Sequence, residues 1–180
     1  MSPLPAVCLA LFVASVCAQE KKPLLARDYG QWESLRGSGT LSSDGKWLAY
    51  SVARSNGKGE LRLKQMGGKP MDAFANGKGA QFSDDARWLG FLVGVSEEKR
   101  EKLEKAKKPV QDSLRLRELA TGETLKVEGV SGFRFSEDGA HIAIKRYRHK
   151  GRKKGGADLV VRNLTTGDEM CFGNVGSYSW

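Results

Sequence analysis

The sequence has 180 residues, 28% of them charged and 39% apolar, which suits one folded, soluble domain and excludes an intrinsically disordered chain. Twenty-two glycines against five prolines, with many short apolar runs, exclude a bundle of long amphipathic helices and predict a turn-rich all-β protein. The net charge is +9, and much of the excess sits in Lys145, Arg146, Arg148, Lys150, Arg152, Lys153 and Lys154, a basic run with interspersed glycines.

The first segment does not belong to the fold. Ala6 to Val16 is an apolar run of about 11 residues, short of the ~20 that a helix needs to span a bilayer. It ends at Val16-Cys17-Ala18, before polar Gln19-Glu20-Lys21-Lys22, so residues 1–18 read as a cleaved signal peptide. A secreted or periplasmic location follows, with no stable membrane insertion after cleavage. Lipidation of Cys17 is the weaker alternative, because Val16 is bulky for such a site. Cleavage removes Cys8 and Cys17 and leaves Cys171, so no internal disulfide is available. Cys171, in Glu169-Met170-Cys171-Phe172, is expected to be a small buried hydrophobe of a strand.

Residues 19–38 form a lead-in, and a partial propeller is expected over residues 39–180. A motif occurs three times within it, at 41–50, 82–91 and 135–144. The copies are Leu41-Ser42-Ser43-Asp44-Gly45-Lys46-Trp47-Leu48-Ala49-Tyr50, Phe82-Ser83-Asp84-Asp85-Ala86-Arg87-Trp88-Leu89-Gly90-Phe91 and Phe135-Ser136-Glu137-Asp138-Gly139-Ala140-His141-Ile142-Ala143-Ile144. The spacings, about 41 and about 53 residues, are those of propeller blades. Aspartate bonding its own downstream backbone and glycine at positive φ make a tight turn between two strands. In the middle copy Ala86 replaces the glycine, so that turn is expected to be strained or of another type. The small residues Ala49, Gly90 and Ala143 are expected to let neighbouring sheets approach closely. Trp47 and Trp88, at matching positions, are expected to pack in the core.

A second repeat interleaves with the first. Leu114 to Glu123 matches Leu159 to Asp168 at a separation of about 45 residues, and Leu61 to Lys69 is a shorter version. Each reads as an alternating strand, a Thr-Gly or Gly-Gly turn and a further strand. The fold class is therefore all-β, with about three four-stranded antiparallel propeller sheets in an incomplete propeller. A sandwich of unrelated hairpins would not repeat its strands at fixed intervals. The longer second interval is explained by an insert, Glu97 to Lys108, almost wholly charged and read as a solvated excursion able to form two or three exposed helical turns. Lys150 to Asp158 reads as a solvated loop between strands. Gly176-Ser177-Tyr178-Ser179-Trp180 looks like the start of a fourth copy near residue 178, with Trp180 in the place of Phe135. About three blades leave a sheet face uncovered, so the sequence is expected to be a piece of a longer propeller.

These Ser-x-Asp-Gly-x-x-Leu-Ala-Tyr copies resemble the WD-like repeats of TolB-type and prolyl oligopeptidase propellers. The lead-in from Lys22 to Leu35 resembles the segment before the first blade in secreted bacterial members of the prolyl oligopeptidase family. That resemblance implies a propeller that gates and selects peptide substrates for a C-terminal α/β-hydrolase domain with a Ser-His-Asp triad, a domain missing from this chain. The alternative is a non-enzymatic, TolB-like periplasmic propeller that binds proteins or peptides. A weaker third reading, a lyase or glycan-binding propeller, rests on the basic loop and on Trp47 and Trp88.

No catalytic, cofactor-binding or metal residues are assigned, and no cofactor is expected. Gly37-Ser38-Gly39 has the wrong spacing for a nucleophile elbow and is expected to lie before the first blade. His141 reads as a strand residue and His149 as a surface one. Asp44, Asp84, Asp85 and Asp138 recur in turns, where backbone hydrogen bonding accounts for them. The basic run reads as a solvated loop rather than a nucleic-acid surface.

Overall fold

In the computed structural model, residues 23–68, 71–148 and 155–180 are described. The proposed signal peptide, His149 and most of the basic run therefore lie outside the described residues. The chain folds as three sheets of four antiparallel strands, each built from consecutive sequence. The first holds β1 (Glu33–Leu41), β2 (Trp47–Arg54), β3 (Gly59–Gln65) and β4 (Asp72–Ala75). The second holds β5 (Gly77–Phe82), β6 (Trp88–Val93), β7 (Ser113–Glu118) and β8 (Thr124–Glu128). The third holds β9 (Val130–Phe135), β10 (His141–Arg146), β11 (Ala157–Asn163) and β12 (Glu169–Val175). Strand β1 begins at Glu33, so the first sheet takes in residues 33–38 of the lead-in.

The sheets form a fan. Strand β5 lies against β1, β2 and β3, and β9 lies against β5, β6 and β7. The outermost strands β4, β8 and β12 are mostly exposed. Two cores fill the gaps between sheets. Ala49, Leu61, Leu63, Leu89, Phe91 and Leu119 join the first to the second. Leu114, Leu116, Phe135, Ile142, Ile144 and Val160 belong to the core joining the second to the third. Alternation along β6 explains how one strand serves both: Leu89 and Phe91 point one way, Trp88 and Leu92 the other. Burying a Phe or Leu side chain contributes roughly 1.5–3 kcal/mol. The two tryptophans are half-buried against these cores, as their matching positions required.

Equivalent residues report which faces are open. Leu119 and Leu164 follow the third strands of their sheets, each facing the preceding sheet, and are 7% and 9% exposed. Met66, their counterpart in the first sheet, is 52% exposed because no sheet precedes it among the described residues. At the other end, Met170 and Phe172 lie on the uncovered face of the third sheet.

The three Ser-x-Asp turns are superposable in chemistry. The backbone N–H of Gly45, Ala86 and Gly139 donates to the carbonyl of Ser42, Ser83 and Ser136 at 2.9, 2.9 and 3.0 Å. All three donors sit at positive φ, 69°, 54° and 69°. The middle turn thus keeps the geometry of its neighbours, and Ala86 bears the strain of a left-handed conformation. The turns also touch: Ser43 Oγ donates to the Asp84 carbonyl at 2.6 Å, and a Cβ on Gly139 would meet Asp85 Cγ at 2.8 Å.

The helix α1 (Glu97–Lys105) occupies the charged insert, capped by Ser96 Oγ, which accepts from the Lys99 N–H. It buries no residue, in keeping with its nearly apolar-free sequence. Three sequence expectations need correction. Cys171 lies in β12 as expected, but it is exposed, because β12 is an outer strand at the wide end of the fan. Ala157 and Asp158 belong to β11 rather than to a loop, since pairing with β12 reaches back to Ala157. Gly37-Ser38-Gly39 lies inside β1, at its bulge, rather than before the first sheet.

Replacing Ala86 by glycine should stabilise the chain by about 1 kcal/mol, since it removes left-handed strain at an exposed turn. A lower urea midpoint for A86G than for the parent would contradict that. The Gly90→Ala substitution should destabilise by about 1–3 kcal/mol, because the new Cβ would lie 2.5 Å from Phe133 Cε2. Trimming the ring in G90A/F133L should recover part of that loss; a double-mutant cycle with no coupling would show that the contact is unimportant.

Candidate functional site

The two ends of the fan differ in elaboration. One end carries the Ser-x-Asp turns, which are short and tied. In each, the serine hydroxyl accepts from the backbone N–H of the first residue of the next strand, at 2.9 Å from Trp47, 3.0 Å from Trp88 and 2.9 Å from His141. The same hydroxyls donate to Asp44, Asp85 and Asp138 Oδ1 at 2.6, 2.5 and 2.5 Å. Those carboxylates in turn accept the N–H of Lys46, Arg87 and Ala140. The serines are buried and their polar groups satisfied, so this end is structural. The Ser42 and Ser136 hydroxyls, followed by the backbone N–H bonds, hold Asp44 and Asp138 below the ordinary aspartate value. Among the described residues, no group of three or more His, Cys, Asp or Glu is placed to hold a metal ion.

The other end carries the β2–β3, β6–β7 and β10–β11 connections, the last two long. Here an ion pair and several hydrogen bonds tie the connections together, both within a sheet and between the second and third sheets. Lys78 pairs with Asp112 at 2.8 Å, and the Asp112 N–H donates to Tyr147 Oη at 3.3 Å. The Gly94 N–H donates to Asn76 O, Val130 N–H to Asp112 O and Tyr147 N–H to Gly129 O, at 3.0, 3.0 and 3.1 Å. Each strand-to-strand crossing between sheets thus anchors the neighbouring loop. A cleft of about 250 Å³ opens beside the third sheet, with Ser131, Lys145, Arg146, Arg148 and Gly156 on its walls. A second, of about 230 Å³, opens between β1 and β5, with Arg36, Ser38, Tyr50, Ser51 and Gly79 around it. Glycine bulges shape that second cleft: Gly37 and Gly79 have φ of 72° and 61° where the β1–β2 and β5–β6 registers shift.

On the open face of the first sheet, Glu33, Arg54, Glu60 and Arg62 form a four-member ion network. Arg62 bonds Glu33 at 2.5 Å and Glu60 at 2.7 Å, and Arg54 bonds them at 2.9 and 3.1 Å. The Arg62 and Arg54 hydrogen bonds hold Glu33 below the usual carboxylate range despite some desolvation. At Glu60 burial pushes upward and the same two arginines outweigh it. This network pins β1 to β2 and β3, and it was not legible beforehand because its members are spread over residues 33 to 62.

The remaining histidine and serine side chains of interest are scattered. His141 sits in β10, its Nε2 3.4 Å from Asn163 Nδ2 and its ring 6.4 Å from that of Trp180. Ser131 Oγ donates to the carbonyls of Lys145 and Arg146. Ser38 lies in the β1 bulge, on the wall of the second cleft. Ser136, Asp138 and His141 meet in one turn, but Ser136 Oγ accepts from the His141 backbone N–H while the imidazole faces Asn163, so this cluster is a turn and not a Ser–His–carboxylate relay. No described helix is long and apolar enough to cross a membrane.

The Asp44 and Asp138 shifts give a pH dependence with a definite sign. A carboxyl held low in the folded state contributes stability above its unfolded value, and that contribution is lost as pH falls through the lower folded value. Stability should therefore drop below about pH 4, and the drop should be shallower in a D44N/D138N variant. Parallel pH–stability curves for the two proteins would contradict this.

No protein-family model matches the sequence, and no curated protein matches it. Solved structures do resemble it. The β-propeller domain of the trilobed protease from Pyrococcus furiosus aligns over 83% of this chain and 46% of that one, with a TM-score of 0.57 and 14% identity. A prolyl endopeptidase aligns over 80% of this chain and 22% of its own, with a TM-score of 0.56 and 16% identity. An acylaminoacyl peptidase from Pyrococcus horikoshii aligns over 84% and 27%, with a TM-score of 0.53 and 10% identity. The chain spans less than half the length of each of these proteins. The three fanned sheets are, in fold, three successive blades of a β-propeller.

Proposed function

We propose that this chain is the opening part of the propeller of a secreted serine peptidase of the prolyl oligopeptidase family. Its blades gate access and select peptide substrates, while an α/β-hydrolase domain encoded beyond residue 180 carries the chemistry. The observation that carries this reading is the likeness of about four fifths of the chain to structures of peptidases, one of them explicitly a propeller domain. The contrast between the tied turn end and the elaborated loop end supports it further. A gating domain needs a rigid stack that presents variable loops to substrate on one side. Secretion is supported by the apolar run before Gln19, which predicts a mature amino terminus at that residue.

The gene should continue through further blades into a region with a Gly-x-Ser-x-Gly nucleophile elbow. A stop after blades alone would favour the TolB-like scaffold instead. The 180-residue chain by itself should hydrolyse no chromogenic prolyl or aminoacyl peptide, whereas the continuous protein should do so and be blocked by a serine-reactive inhibitor. Inhibitor-sensitive turnover by the purified chain alone would overturn the division of labour.

A further inference from the structure

The two clefts are similar in size and unlike in charge. The cleft beside the third sheet carries Lys145, Arg146 and Arg148 and no carboxylate among its described lining residues. Two of these cations are held in place by neutral acceptors. Lys145 Nζ donates to the Gly176 carbonyl at 3.0 Å, and Arg146 Nη1 donates to the Glu128 carbonyl. Such bonds fix the side chains while leaving their charge uncompensated, and an ammonium or guanidinium retains further N–H donors. The neighbouring acids are engaged elsewhere. Glu128 pairs with Lys126, Asp112 pairs with Lys78, and Asp158 accepts the Asn174 N–H. The rest of the described lining is Tyr147, Ser131, whose hydroxyl donates to the Lys145 and Arg146 carbonyls, and small or apolar residues at 155–157, 175 and 176.

A cationic rim around a small cleft selects for both charge and size. A volume of about 250 Å³ holds a group the size of one amino-acid residue and is below the usual range for drug-sized ligands. We propose that this cleft is a carboxylate subsite, taking the C-terminal carboxylate or an acidic side chain of an extended peptide. The proposal rests on the peptide-handling function above and adds a preference for anionic peptides to it.

The test uses the full chain and three acetylated tetra-alanine probes: the free acid, its C-terminal amide, and an amide with one alanine replaced by glutamate. Titration should show at least one carboxylate-bearing probe binding about tenfold or more tightly than the neutral amide, the scale of a charge-assisted hydrogen bond. Which of the two binds identifies the terminal or the side-chain carboxylate as the source. The Arg148→Glu and Lys145→Gln variants should each weaken that probe about tenfold with an unchanged circular dichroism spectrum, and Lys145→Arg should restore binding. Equal affinity for charged and neutral probes, or variants that bind as the parent does, would overturn the subsite. Binding of inorganic phosphate without binding of either peptide would overturn it as well. Failure here is separable from failure of the peptidase reading, which is measured by hydrolysis in the continuous protein and does not involve these three residues.

Discussion

The structure depends on how closely one sheet can approach the next at the narrow end of the fan. Close approach is allowed only where the second strand of a sheet is bare. At Gly90 there is no room for even a methyl group beneath the Phe133 ring, and at the matching position of the first sheet Ala49 is fully buried. Ala143, at the same point of the third sheet, is equally buried, although no further sheet is described beyond it. The residues after β12 return to that sheet: the Gly176 carbonyl accepts from Lys145 Nζ, and Trp180 Nε1 donates to the Arg134 carbonyl. One small side chain per sheet therefore fixes the spacing, and the large residues on either side of it fill what remains.

The fold was legible because local chemistry and global arrangement repeat together. The Ser-x-Asp-Gly copies announced both the turn and the flanking strands, and all three occupy the same surroundings. The residue at the glycine position decided the one open question: a turn with a fixed hydrogen-bond pattern holds Ala86 at positive φ rather than changing its form. What the sequence hid was radial position. Cys171 sits in an apolar-looking strand, and nothing in Glu-Met-Cys-Phe tells an outer strand from an inner one. The Glu33–Arg62 network escaped for a related reason, since its partners meet only through cross-strand register. The clefts were illegible too, because they arise where connections from two or three sheets converge.

The two ends of the stack divide stability from recognition. Buried hydroxyls and carboxylates bonded to backbone N–H groups consume the polar chemistry of the turn end. At the loop end the polar chemistry faces outward, and Lys145, Arg146 and Arg148, the described members of the basic run, line the larger cleft. Peptide handling is proposed for that end because it combines rigid anchorage, through Asp112 and Tyr147, with uncompensated charge.

Every sheet is assembled from one uninterrupted stretch of chain and leans only on the sheet before and the sheet after it. Such an array behaves as a row of nearest-neighbour couplings, so the second sheet gains from a core on each of its faces. Its pairings are short in sequence, so a ribosome can release one finished unit before the next is made.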